Sequence, residues 1–505
     1  MKSLLFVLTF SFLSPLTAAG SSSDTIKEFA DHVRKFTLSN GMRFLVYERP
    51  ETPTVSFSMY IRTGGIDDES GFSGMAHMFE HMFFKGTKTI ETKDYASESK
   101  VMDKIDAAEI SLIEESDKGV KTDPPRIKEL QAEISGLEAE ESTYIVEEEY
   151  WGIYERAGGQ DLNASTGFDY TNYVISLPAN KVELWMAMES DRVKNPVLRE
   201  FYKERDVVRE ERRMRIDNSP DGKLWEEFLG AAFLAHPYGR PIVGWDSDLT
   251  HLTRPLAEKF FKKHYDVSRL VVAIVGGIKA EEVEKSARKY FDSIPSVEKS
   301  NGEEEHISVE PPQTGERRVV VEYDAEPSLL IGYHRPNLIH PDNYALEVLA
   351  QVLDEGRTSR LYKNVVEKKA ASSAWASSSA PGERDPNLFM LGGTPIAPNT
   401  PQDLEKKIYR EIEKLKEKGP TEKELEKVKN NLEADTIRGL SSNMGLANQL
   451  AYYESVAGDW KYLLALIQGL RNVTDIDVQR VADKYFAPSN RTVAWIEKKA
   501  PKDDQ

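Results

Sequence analysis

The sequence predicts an α+β protein made of two duplicated halves, each an α/β sandwich in which helices flank an antiparallel-rich sheet. Three observations predict this fold class. A unit of helix, turn and strand occurs twice at a constant offset. Stretches with the period-2 alternation of strands and stretches with helical periodicity occur in both parts of the chain. A polar, acidic segment separates the two parts.

The repeat is the clearest of these signals. LTRPLAEKFFKKHYDVSRLVVAIV begins at Leu252 and aligns with VTDIDVQRVADKYFAPSNRTVAWI, which begins at Val473, an offset of 221 residues. Tyr265 then falls on Phe486. Each copy is predicted to be an amphipathic helix, a short turn and an apolar strand. A register held over about two dozen residues favours duplication over chance similarity.

The other elements give the domain organisation. Strands are predicted in TVSFSMYIR, RRVVVEYD and LLIGYHR, and helices in VELWMAMESDRV and LEKKIYREIEKLKEK. The polar segment, residues 296–316, contains two adjacent prolines and is interpreted as a linker. We therefore expect an N-terminal domain over residues 20–295 and a homologous C-terminal domain over residues 317–505.

A highly charged region, residues 99–149, fits neither copy of the repeat. Apolar residues recur in it at helical spacing on either side of Asp123-Pro124-Pro125, which predicts an inserted helical hairpin. We expect its charged faces to be solvated, and a role in recognition stays open.

Composition and the N-terminus limit the function classes. Residues 1–19 have the pattern of a signal peptide, which predicts a periplasmic or secreted protein. No later apolar run is long enough to span a membrane. The net charge of −18 argues against a nucleic-acid partner. The chain has no cysteine, so any metal would be bound by His, Asp or Glu.

The motif that carries chemistry is H-x-x-E-H, formed by His77, Glu80 and His81. On a helix the two histidines lie one turn apart on one face, so both imidazoles can reach one ion. Glu80 lies beside them and could take a proton from a metal-activated water. Two hydrogen-bonded core histidines would also explain the pattern. The interpretation as a metal site therefore needs a third ligand elsewhere in the sequence. The acidic stretch FYKERDVVREERRMRIDNSP offers Glu204, Glu210 and Glu211, and the pattern alone does not choose among them.

Three segments in order, HMFEHMFFKGT, GGQDLNASTGFDYTNY and KERDVVREERRMR, resemble the inverted-zincin peptidases. This is the pitrilysin, insulin-degrading and mitochondrial processing peptidase group, and the closest resemblance is to its shorter bacterial members. The resemblance implies that His77, His81 and Glu211 bind Zn2+ in the N-terminal domain, with Glu80 as general base. It also implies that Glu204 assists catalysis.

The resemblance further implies how substrate binds and that the chain has a partner. Asn163 and Ala164 match an edge strand on which the family lays the substrate backbone. Relatives enclose peptides in a clam-shell chamber of four α/β units, of which this chain supplies two. An Arg and a Tyr that reach the scissile bond in self-sufficient relatives correspond to Val366 and Ser373 here. We therefore expect a heterodimer whose related partner subunit supplies that Arg and Tyr.

The expected function is that of a zinc metalloendopeptidase acting on peptides or small unfolded proteins. The alternatives are a non-catalytic scaffold and a peptide- or metal-binding subunit of the same fold. Arg360 and Tyr362 lie near the missing pair at the wrong spacing and are interpreted as structural, and His236 is expected to be a buried, hydrogen-bonded residue.

Overall fold

The computed structural model describes residues 29–296 and 307–498. The predicted signal peptide, residues 1–19, and residues 297–306 of the predicted linker lie outside the described residues. Among the described helices, none combines the length and apolar character that crossing a bilayer requires.

The described residues form two sheets of six and five strands. The strands are β1 Val33–Thr37, β2 Arg43–Glu48, β3 Thr54–Ile61, β4 Gln160–Thr166, β5 Thr171–Pro178, β6 Leu270–Gly276, β7 Arg317–Tyr323, β8 Leu329–Arg335, β9 Ala371–Ala380, β10 Asn387–Pro395 and β11 Arg491–Lys498.

Besides the helical residues 29–31, sixteen α-helices surround these sheets in the described part of the chain. They are α1 Met75–Met82, α2 Tyr95–Ser116, α3 Pro124–Ser142, α4 Glu149–Arg156, α5 Val182–Lys194, α6 Phe201–Arg212, α7 Pro220–Ala232, α8 Asp246–Leu249, α9 Arg254–His264, α10 Ala280–Phe291, α11 Asn343–Asp354, α12 Pro401–Lys418, α13 Glu422–Gly439, α14 Asn443–Val456, α15 Tyr462–Asn472 and α16 Asp475–Tyr485.

Apart from the additional edge strand β1 of the first sheet, both sheets have the same topology, which confirms the predicted fold class. The first has the strand order β1-β2-β6-β3-β5-β4 and the second β7-β11-β8-β10-β9. In each, one parallel pair, β2 with β6 or β7 with β11, is followed by antiparallel pairs only. The repeat predicted from the sequence is α9 and β6 in one half and α16 and β11 in the other. Helices α9 and α16 begin and end 221 residues apart.

The halves exchange one helix each. Helix α7 lies in the first half of the chain, yet its Leu224 and Phe228 pack in one core cluster with residues of the second sheet such as Leu330. Helix α14 lies in the second half, and its Leu446 packs against the first sheet beside Val271. Each sheet is therefore covered by a helix of the other half, and separating the halves would expose both surfaces to water. A domain boundary at 296–316 remains a proposal.

Helices α2 and α3 form an antiparallel pair in the charged region. The expectation that its charged faces are solvated is wrong for the face that packs on α6 and on the segment just before it. Glu98 accepts a hydrogen bond from Nε of Arg199 at 2.7 Å with both side chains fully buried, and Arg205 donates to Glu109 at 3.1 Å. Opposite charges on the neighbouring segment make this burial tolerable, because buried charges need hydrogen-bonded partners.

Candidate active site

Helix α1 presents the two histidines of the motif on one face. The carboxylate of Asp68 accepts hydrogen bonds from the backbone N–H groups of Gly74 at 2.7 Å and Ala76 at 2.9 Å, which fixes the start of the helix. The i, i+4 spacing places the ring centroids of His77 and His81 5.0 Å apart. The opposite face of the helix, with Met78, Phe79 and Met82, lies in the first core.

Glu211 completes a group of three possible metal ligands. It lies on α6, with one carboxylate oxygen 3.6 Å from Nε2 of His77 and the other 3.5 Å from Nε2 of His81. Ligand atoms on a tetrahedral zinc lie about 3.4 Å apart, given zinc–ligand distances of about 2.0 to 2.1 Å. Within the described residues, these three form the one group of His, Asp or Glu close enough to share an ion.

The protonation of the two imidazoles differs. Burial lowers the pKa of His77, so its ring is neutral at neutral pH. Burial also opposes charge on His81, but hydrogen bonds to Glu204 and Glu211 outweigh it and raise the pKa of that ring to about 9. Without metal, His81 therefore carries a proton that an incoming cation would have to displace.

Glu204 contacts His81. Its Oε1 lies 2.9 Å from Nδ1 of His81, and Nζ of Lys85 lies 2.8 Å from its Oε2. Burial would raise the pKa of Glu204, but the hydrogen bonds from His81 and Lys85 lower it to about 2, so the carboxylate stays ionised. An ionised carboxylate only accepts, so Nδ1 of His81 is the donor and Nε2 faces Glu211. The sequence motif did not single out Lys85.

The remaining predicted residues line one cavity next to this group. Glu80 and His81 form part of its wall, and Asn163 and Ala164 of β4 form another part. The cavity has a volume of about 490 Å³. Strand β4 pairs only with β5, so its other edge is unpaired within the described residues. An extended peptide could add to that edge as a further strand.

The positions that replace the family's Arg and Tyr lie in the second half. Val366 packs against the second core, and Ser373 is an exposed residue of the edge strand β9. Arg360 donates two hydrogen bonds to Glu424, both at 2.9 Å, which is a structural contact.

His236 lies at the contact between the halves. It is buried, its Nδ1 accepts a hydrogen bond from the backbone N–H of Tyr238 at 3.2 Å, and its Nε2 lies 3.8 Å from a carboxylate oxygen of Asp385 in the second half. The expected buried, hydrogen-bonded state is what the structure has.

Comparison with known proteins supports one family. The model of the insulinase family, peptidase family M16, matches residues 43–111 and 143–246, and the model of the peptidase M16 inactive domain matches residues 251–432. Residues 112–142, unmatched by the first model, include all of α3 and the end of α2.

The relatives include zinc proteases from two bacteria. The zinc protease PqqE of Helicobacter pylori is 29% identical over 466 residues, which is 91% of each chain. The uncharacterized zinc protease YmxG of Bacillus subtilis is 24% identical over 457 residues, covering 90% of this chain and 96% of the relative.

Solved structures agree with the fold. A protease from Helicobacter pylori superposes with a TM-score of 0.76 at 27% identity, covering 92% of this chain and 99% of that one. A peptidase M16 inactive domain from Pseudomonas fluorescens superposes with a TM-score of 0.69 at 15% identity, covering 93% of this chain and 100% of that one.

Proposed function

This chain belongs to the insulinase family of peptidases, family M16, and from that premise we propose that it is a zinc-dependent endopeptidase of peptides or small unfolded proteins. His77, His81 and Glu211 would hold the zinc. The observation that carries the proposal is that one ligand atom from each of these three side chains lies within 4.8 Å of the other two, close enough to share one ion.

The residues around the metal group have different roles in hydrolysis. When bound, zinc supplies a Lewis acid that polarises a peptide carbonyl and makes a neighbouring water more acidic. Glu80 accepts the proton of the attacking water and returns it to the leaving amine. Glu204 holds His81 in the tautomer and orientation that leave Nε2 free for the metal, and is therefore a positioning residue in this scheme. The open edge of β4, at Asn163 and Ala164, binds the substrate backbone.

The variant Glu80→Gln tests this function. We expect the purified wild-type chain to contain about one zinc per chain by mass spectrometry. The variant should keep the zinc and lose about 100-fold or more of its peptide hydrolysis, because general-base catalysis contributes at least that much. Glu210→Gln is the matched control, since Glu210 is exposed and paired with Arg213. Unchanged hydrolysis by Glu80→Gln would remove Glu80 from the mechanism.

Two comparisons bear on the scaffold alternative, since the family model that matches residues 251–432 and one structural neighbour are both described as M16 inactive domains. Against it stands the presence of His77, Glu80, His81 and Glu211 together, since a scaffold needs none of them. A folded wild-type chain without zinc and without hydrolysis would support the scaffold.

A heterodimer is the second part of the proposal. Val366 and Ser373 cannot donate to a developing oxyanion as Arg and Tyr do, so the missing donors would come from a related subunit. Adding that subunit should raise the rate of hydrolysis about 100-fold, the usual effect of one oxyanion donor. Equal rates for the chain alone and for the mixture would contradict this.

Periplasmic or secreted localisation is the third part, supported by the signal-peptide pattern of residues 1–19. The mature protein from its native source should begin near Gly20, and an intact Met1 would contradict the export.

A further inference from the structure

The turn that joins β4 to β5, residues 167–170, is in contact with the second half of the chain. We infer that Asp169 in this turn is a positioning residue, through which the second half fixes the substrate-binding edge of β4. The inference rests on the proposed function and adds to it a residue outside the reaction centre. It also gives a role to a half of the chain that has no H-x-x-E-H motif.

Asp169 accepts hydrogen bonds on both carboxylate oxygens. The backbone N–H groups of Glu383 and Arg384, in the second half, donate to its Oδ2 at 2.5 and 3.0 Å. The hydroxyl of Tyr238, in the first half, donates to its Oδ1 at 2.6 Å and accepts from the backbone N–H of Asp385 at 3.2 Å. Asp169 is only 3% exposed, and a buried carboxylate depends on such donors. These bonds tie the turn to the segment between β9 and β10.

That segment has a glycine where it meets the turn. A Cβ at Gly382 would lie 2.5 Å from the hydroxyl oxygen of Tyr238 and 2.8 Å from Oδ1 of Asp169. Non-bonded heavy atoms make favourable contact at about 3.5 Å, so any side chain at this position would displace the pair. Glycine therefore permits the close approach of the second-half backbone to Asp169.

The residues on either side of Asp169 contact the second half as well. Phe168 lies in one core cluster with Leu330 of β8. Tyr170 packs edge-on against Tyr452 of α14, with ring centroids 5.7 Å apart. Three successive residues of the turn thus have partners in the second half, which holds the turn at its backbone and at its side chains.

The position of β4 depends on this turn. The pairing of β4 with β5 is regular from Asn163 to Thr166, and its register shifts between Gln160 and Asn163. The regular part therefore has an irregularity at one end and the turn at the other. Asn163 and Ala164, which line the cavity beside the metal group, lie in this regular part. Because turn geometry sets the register of a hairpin, releasing the turn would shift the edge on which the substrate pairs.

A released turn should weaken substrate binding more than the chemical step. The metal ligands and Glu80 lie on α1 and α6, outside the hairpin of β4 and β5. Main-chain hydrogen bonds to an edge strand contribute mainly to affinity. We therefore expect KM to rise in variants of Asp169, with kcat and zinc content almost unchanged.

Steady-state hydrolysis of one fluorogenic peptide tests the inference, using the zinc-loaded full chain with any related subunit that copurifies. Asp169→Ala should raise KM about tenfold, equivalent to one or two lost main-chain hydrogen bonds, and change kcat by less than about twofold. Asp169→Asn keeps an acceptor for the two N–H groups, so it should restore most of the affinity. Gly382→Ala alters only the second half and should raise KM as Asp169→Ala does. An unchanged KM in Asp169→Ala or in Gly382→Ala would overturn the inference.

Arg49→Met is the matched control for a contact between the halves. Arg49 donates hydrogen bonds to the carbonyl oxygens of Leu440 and Ser441 and to Oδ1 of Asn443, at 2.6, 2.8 and 3.0 Å. It follows β2, four strands away from β4 in the first sheet. Arg49→Met should lower Tm and leave KM unchanged. An equal rise of KM in the control and in Asp169→Ala would make the effect one of loosened halves in general and overturn the role of Asp169.

A backbone-methylated peptide gives a readout that general destabilisation would not change. N-methylation at a residue whose N–H pairs with β4 removes one main-chain donor and should raise the KM of the wild-type chain severalfold. The same methylation should cost Asp169→Ala less, because that variant pairs with the substrate more weakly. An equal cost in both proteins would show that the edge of β4 is intact in the variant and would contradict the inference.

Hydrogen exchange separates a failure of the inference from a failure of the proposed function. In Asp169→Ala the amides of β4 should exchange about tenfold faster and those of α1 at the wild-type rate, whether or not the chain hydrolyses peptides. Faster exchange in β4 without any hydrolysis by the wild-type chain would support the anchoring of β4 and refute the proposed function. Hydrolysis with unchanged KM and unchanged exchange in the variant would refute the role of Asp169 alone, and neither hydrolysis nor a change in exchange would refute both.

Discussion

Replacing Glu204 perturbs the metal group without removing a ligand. Its carboxylate lies 2.9 Å from Nδ1 of His81 and 2.8 Å from Nζ of Lys85. In Glu204→Gln the amide oxygen can still accept from Nδ1, but the negative charge that supports the imidazole is lost. In Glu204→Ala both the hydrogen bond and the charge are lost, and Lys85 keeps only its longer contact with Glu200.

The expected loss of zinc affinity follows from these contacts. Residues that hydrogen-bond a metal ligand contribute about 10- to 100-fold in affinity, or about 1.4 to 2.8 kcal/mol. Because Glu204→Gln keeps the geometry of His81, we expect about a 10-fold weaker Kd for zinc. Glu204→Ala releases the ring as well, so we expect a Kd nearer 100-fold weaker.

Competition with a chromophoric chelator at pH 7.5 measures these constants. Glu210→Gln is the control, because Glu210 lies next to the ligand Glu211 but is half-exposed and pairs with Arg213. It removes the same charge and should leave the Kd unchanged. If both Glu204 variants bound zinc as tightly as the control, Glu204 would have no part in positioning His81.

Two further outcomes depend on proton positions. Zinc must displace the proton of His81, whose pKa is about 9 without metal. Calorimetry in buffers of different ionisation enthalpy should therefore show about one proton released per zinc, and the Kd for zinc should fall about tenfold per pH unit from pH 6.5 to 8.5. A Kd independent of pH would contradict this. Burial would raise the pKa of Glu424, but its hydrogen bonds with Arg360 lower that pKa to about 2. The pair therefore stabilises the fold above pH 4.5, and this stabilisation is lost as the pH falls toward 2. Arg360→Gln should therefore lower the free energy of unfolding by about 1 to 2 kcal/mol at pH 7 and by progressively less below pH 4.5, without changing the Kd for zinc. A loss of hydrolysis with unchanged stability would show that Arg360 acts in the site.

Local patterns predicted the duplicated elements well. The unit of α9 and β6 and its copy, α16 and β11, each consist of a helix with an apolar stripe, a turn and an apolar strand. These signals lie within about 25 residues of each other. The H-x-x-E-H motif was equally readable, because helical periodicity alone brings His77 and His81 to one face.

The sequence patterns do not predict which distant segments of the chain contact each other. An amphipathic helix such as α7 shows that it has an apolar face, but not which sheet that face covers, and so the exchange of α7 and α14 was not predicted. The prediction that the charged face of α2 is solvated fails for the same reason. Glu98 has its partner in Arg199, about 100 residues away, and nothing local distinguishes it from a solvated glutamate.

In the candidate site, too, local patterns identify some residues but not the contacts among them. Residue spacing alone left Glu204, Glu210 and Glu211 open as the third ligand, since all three belong to one charged stretch. The structure brings Glu211 to the imidazoles and turns Glu210 toward Arg213. The cavity could not be predicted, because its wall is assembled from separate segments such as α1, β4 and the start of α4.

Anomalous diffraction at the zinc edge tests the central claim most directly. Crystals of the full-length Glu80→Gln chain with zinc and a peptide would be measured just above and just below the edge. The peak should lie about 2 Å from Nε2 of His77, Nε2 of His81 and a carboxylate oxygen of Glu211, with the peptide paired along the open edge of β4. A folded chain with no zinc peak within reach of these three residues would contradict the proposed function.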